Sequence, residues 1–65
     1  MNYENRVLHS NNIGDVRREV DRLMFKLQVY HNIQLPALPN ELSINWLKFH
    51  YTYLVNRLNK EEPKT

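Results

Sequence analysis

Between Asn12 and Ile33 the apolar positions Ile13, Val16, Val20, Leu23, Leu27 and Tyr30 recur at steps of three and four residues. That spacing lays one face of a helix against a partner helix. Asn12 or Asp15 is placed to cap its start, and Asp15 and Glu19 suit the N-terminal end of a helix dipole. Asp15–Arg18 and Glu19–Arg22 stand at i,i+3 and can pair along the surface. Met24, Phe25 and Val29 fall outside this seam, with Phe25 nearly opposite it. From Leu23 onward the helix is therefore apolar most of the way round, and a helix of that kind is expected to be enclosed.

A second patterned segment runs from about Asn40 to Lys60 and contains most of the aromatic residues. As a strand, Phe49, Tyr51, Tyr53 and Val55 alternate with His50, Thr52 and Leu54, and aromatics favour strands. No second strand-like run lies nearby to pair with it, and no Asn-Gly or Asp-Gly turn sits beside it. A lone buried strand leaves its backbone donors and acceptors unpaired. The helical reading accounts for more positions. Ile44, Leu47, Tyr51, Leu54 and Leu58 form one stripe, and Leu42, Trp46, Phe49 and Tyr53 form a second. The stripes lie roughly 150° apart at about 100° per residue. Asn45, Lys48, Thr52, Asn56 and Asn59 run between them on one side, and His50 and Arg57 on the other.

The stretch "QLPALPN", with Pro36 and Pro39, separates the two segments. The expected architecture is an all-α, two-helix antiparallel hairpin, with helices near 13–33 and 41–60. A polar arm over 1–12, where Tyr3, Val7 and Leu8 suggest a short helical turn, precedes it, and a fraying tail over 61–65 follows. One stripe of the second helix closes on the first helix. The other needs a different cover: a second copy of the chain or a target, with the N-terminal arm folding over it in a monomer as the competing arrangement. Pairing two hairpins gives a four-helix bundle.

Composition sharpens that expectation. A single domain of 65 residues buries only about 60% of its unfolded surface and is marginally stable alone. Disulfides, a metal or oligomerisation usually make up the deficit. The chain has no cysteine, which excludes disulfides and the common zinc-finger arrangements. His9, His31 and His50 are far apart, so neither a metal nor another cofactor is expected, and self-association or a partner becomes the leading route to stability. With 42% hydrophobic residues the chain is too apolar for disorder. No apolar run approaches the roughly 20 residues of a membrane span and no signal peptide is evident; the absence of cysteine fits a reducing cytoplasm, which is the expected location. Small size and abundant asparagine suit a phage or mobile-element protein from an AT-rich genome.

Candidate chemistry is sparse. Ser10 and Ser43 have no motif around them, and nothing in the sequence places an acid beside His31 or His50. There is no Gly-rich phosphate loop or HExxH run. Helical hairpins of this length include the sporulation-type aspartyl-phosphate phosphatases, whose second helix carries Ser-Gln-Glu-Leu-Asp. The nearest stretch here, "SINWL" (Ser43 to Leu47), lacks both the acid and the order, so that activity does not carry over. Arg17, Arg18, Arg22 and Lys26 could meet nucleic-acid phosphates, with rings available for stacking. Asp15, Glu19 and Asp21 are interleaved with them, and the net charge is only +2 with a pI near 9.2. A helix-turn-helix would also have a shorter turn than "QLPALPN". The sequence therefore points to a small non-enzymatic regulator or inhibitor that binds protein, itself or another, through Leu42, Trp46, Phe49 and Tyr53 with Phe25 and Val29. A small DNA- or RNA-binding regulator using the cations of the first helix is the alternative.

Overall fold

The computed structural model describes residues 3–62, with side chains from residue 5 onward. Three α-helices follow one another: α1 (Tyr3–Leu8), α2 (Ile13–Phe25) and α3 (Ile44–Glu61). No strand occurs among the described residues. Asn12 caps α2, its side chain accepting from the Asp15 N–H at 3.2 Å, and Ser10 Oγ in turn accepts from the Asn12 N–H at 3.1 Å. Each bond satisfies a donor near the helix start that would otherwise face solvent.

Val16, Val20, Leu23 and Leu27 of the expected seam are buried, and Met24 joins them. The two ends of the seam behave differently, since Ile13 and Tyr30 are exposed. At Lys26–Tyr30 the helix widens into a π-helical turn, which carries Tyr30 out of register with the seam. The helix also ends before 33. Asn32 adopts a left-handed φ of 56°, a conformation asparagine tolerates better than most residues. The Ile33 N–H then returns to the Leu27 carbonyl at 3.1 Å. This closure spans one residue more than a Schellman cap, as a widened last turn requires.

Residues 31–43 then run without regular structure. Pro36 and Pro39 lack an N–H and bias the residues before them toward extended backbone. Ile33, Leu35, Leu38 and Leu42 lie partly buried against the core. Gln28 Nε2 donates to the Leu35 carbonyl at 3.3 Å, and Arg17 Nη1 donates to the Pro39 carbonyl at 2.9 Å. The connector therefore retraces α2 from its end toward its beginning. Ser43 starts α3, its Oγ accepting from the Trp46 N–H at 3.1 Å. At the far end, Glu62 reaches His31 at 2.6 Å and Lys26 at 3.2 Å.

These contacts correct the expected hairpin. The C-terminal ends of the two long helices meet, so α2 and α3 run in the same general sense, not antiparallel. An antiparallel pair needs a connection of only about 2–5 residues, whereas an extended connector covers about 3.3 Å per residue and can return the length of a helix. The boundaries near 41 and 61 shift too: α3 begins after Ser43, and Glu61 is helical, not part of a frayed tail. Residues 63–65 of that tail lie outside the described residues.

The core is shared by three elements: Val7 from α1, the seam and Met24 from α2 and its π turn, and Leu47, Tyr51 and Leu54 from α3. No polar or charged residue is buried among those described. The N-terminal arm forms the short helix α1 and contributes Val7 to this core, with Leu8 packed at its edge.

Candidate functional site

α3 divides its side chains as its two stripes anticipate. Leu47, Tyr51 and Leu54 face the core, with Ile44 and Leu58 half-buried beside them. The other stripe is left open: Trp46 is 43% exposed, Tyr53 50% and Phe49 77%. These are large rings, and apolar surface left in water is unfavourable in proportion to its area.

The rings are ordered against one another through a residue that the hydrophobic pattern passes over. The His50 imidazole stacks on Trp46, with centroids 5.0 Å apart and planes 24° apart. It also stacks on Tyr53 at 5.8 Å and 27°. Trp46, His50 and Tyr53 stand at i, i+4 and i+7, which is the neighbour spacing of one helix face. That spacing is legible in the sequence, but a histidine counts as polar and drops out of an apolar stripe. Phe49 stands outside the stack.

Together Trp46, Phe49, His50, Thr52, Tyr53 and Asn56 line an open depression of about 620 Å³. His50 is the one titratable group in this lining other than the Tyr53 phenol. Burial holds its pKa below the ordinary 6.5, because desolvation disfavours the charged form. At neutral pH the depression therefore carries no formal charge.

The other expected docking residues lie elsewhere. Leu42 precedes the Ser43 cap and packs partly buried against the core, so it does not belong to the exposed stripe. It occupies the position from which a hydrophobic residue staples a helix start to the residue after its first turn, here the buried Leu47. Phe25 and Val29 are exposed, with Phe25 edge-on to Tyr30 at 6.3 Å and 61°. They form a second patch on α2 and the π turn and contribute nothing to the α3 depression. The expectation that this end of the first long helix is enclosed fails within one chain, since the core gathers on the side of Leu23, Met24 and Leu27, away from Phe25.

The candidate phosphate-binding cations are each engaged with a carboxylate. Arg17 meets Asp21 at 3.2 Å, Arg18 meets Asp15 at 3.7 Å, and Arg22 meets Glu19 at 2.8 Å. Lys26 meets Glu62 at 3.2 Å. Ser10 and Ser43 act as the capping acceptors described above. The tertiary structure does bring an acid to a histidine, which the sequence does not foretell. Glu62 hydrogen-bonds His31, and that bond, reinforced by Lys26, holds the Glu62 carboxyl below its ordinary value. The cluster clasps the ends of α2 and α3 together. Among the described residues, no three His, Asp or Glu side chains come together as a metal site. No helix there is long and apolar enough to cross a membrane. No protein family, curated protein or solved structure matches this chain.

Proposed function

We propose that this chain is a small non-enzymatic protein-binding regulator or inhibitor. It acts by docking the Trp46–Phe49–Tyr53 face of α3 on the surface of a protein, either another protein or a second copy of itself. Self-pairing would unite the long helices of two chains in a four-helix arrangement. The observation that carries the reading is the exposure of three large rings on a helix whose opposite stripe already fills the core. Aromatic residues are enriched where proteins meet, and a few of them carry most of the binding energy. The nucleic-acid alternative has less support, because Arg17, Arg18, Arg22 and Lys26 already face carboxylates.

The test is a binding comparison between the wild type and Phe49→Asp, a substitution at the most exposed ring. Docking through α3 predicts that the variant keeps its helical circular dichroism and loses association with every protein the wild type binds, including itself. Association should also change little with salt, whereas phosphate contacts would weaken steeply as salt rises. Binding that survives Phe49→Asp, or that collapses with salt, would overturn the proposal.

A further inference from the structure

We infer that the occupant of the α3 face is a second copy of this chain, related by a two-fold axis that sets α3 antiparallel to its counterpart. The inference rests on the docking reading above and names the partner for that face.

Charge is the first argument. A two-fold axis brings a surface patch against its own copy, so a charged residue near the axis meets its like. The lining from Trp46 to Asn56 carries neither Asp, Glu, Lys nor Arg, and burial keeps His50 toward its neutral form. The midpoint of that lining falls at position 51. An antiparallel helix centred there sets Arg57 opposite Asn45 of the second copy and carries Lys60 past the start of the second copy's α3 at Ile44. Neither cation meets its own copy in that register, and Lys48, outside the lining, stands level with Leu54 of the second copy.

Ring geometry is the second. Aromatic pairs prefer edge-to-face contact over a face-to-face sandwich. The face carries two kinds of ring: the Trp46–His50–Tyr53 stack, held by its own ring contacts, and the exposed ring of Phe49 outside it. The same register sets Phe49 opposite Tyr53 of the second copy, twice over. Each copy would thus lay its exposed Phe49 ring against the end ring of the other's stack.

Area is the third. At about 200 Å² per ring, the exposed fractions of Trp46, Phe49 and Tyr53 leave roughly 350 Å² of ring surface on each copy. With the exposed Asn45, Thr52 and Asn56 around them, the patch approaches the roughly 600 Å² per partner of the smaller specific interfaces. Interfaces at that lower end are the weak, exchanging ones.

The experiment is sedimentation equilibrium of the full chain from low micromolar to millimolar concentration, run beside Phe49→Lys and Phe25→Lys. The expected result is a reversible shift from monomer to dimer mass in the wild type and in Phe25→Lys. Phe49→Lys, which sets two lysines near the axis, should weaken the dimer at least tenfold with helical content unchanged. Should that variant fail to fold, wild-type Trp46 emission supplies a second readout, shifting to the blue with the same midpoint as the mass. A wild type that stays monomeric at millimolar concentration would overturn the inference and leave the α3 face for another protein. A dimer indifferent to Phe49→Lys, or dissolved by Phe25→Lys, would overturn it by moving the contact elsewhere. Loss of all protein binding in the Phe49→Asp comparison, with no self-association in the wild type, separates that failure from failure of the docking reading itself.

Discussion

His50 shows how much one side chain can order on a small protein. It is polar by composition, yet its ring joins Trp46 to Tyr53 in a continuous stack along α3. Its pKa lies below 6.5 because burial disfavours the imidazolium. A group with a lowered folded-state pKa binds protons more readily when unfolded, so the fold loses stability as pH falls. The contribution is fully present above 6.5 and is lost as pH drops toward the folded-state pKa. Thermal unfolding between pH 8 and pH 5 should therefore show a midpoint falling through the lower half of that range. His50→Gln, which cannot titrate, should remove that part of the dependence. Glu62 acts in the same sense at lower pH, since His31 and Lys26 hold its carboxyl below 4.5. Its contribution fades as the pH falls from 4.5 toward that lowered value.

At the scale of the elements, the exit from α2 decides the topology. The π turn at Lys26–Tyr30 and the left-handed Asn32 send the chain back along the helix it has just left. Leu35, Leu38 and Leu42 hold it there against the core. A β-branched residue is strained at positive φ, and the left-handed conformation costs about 1–2 kcal/mol for residues other than Gly, Asn and Asp. Asn32→Val should accordingly lower stability by about 1–2 kcal/mol, read from the urea midpoint, while Asn32→Gly should not lower it. Equal destabilisation by both substitutions would show that the Asn32 side chain matters more than its backbone conformation.

For the molecule as a whole, the division between buried and exposed rings is the central feature. Leu54 is fully buried between the helices and Phe49 is largely exposed, although both are large apolar residues of one helix. Truncating a core leucine typically costs about 2–5 kcal/mol, whereas surface substitutions fall within about 0.5 kcal/mol. Urea unfolding of dilute protein should separate Leu54→Ala from Phe49→Ala by that margin, and a comparable loss in both would mean that Phe49 is already covered in dilute solution.

The long helices, their core stripes and the surplus aromatic stripe on α3 were legible in the sequence, because hydrophobic periodicity reports which side of a helix leaves water, whatever stands on the other side. A cap at Asn12 or Asp15 was legible from local residue type, and the structure places it at Asn12. The sense of α3 relative to α2 was not. It depends on whether residues 31–43 turn at once or retrace α2, and it was settled by contacts among residues distant in sequence: Arg17 with Pro39, and His31 and Lys26 with Glu62. The exposure of Phe25 and the burial of Leu42 were equally out of reach, because each follows from where the connector and core lie in space. Periodicity alone determined which surfaces this chain must cover. The tertiary structure decided which of them it covers itself, since one small core can shield only one side of α3.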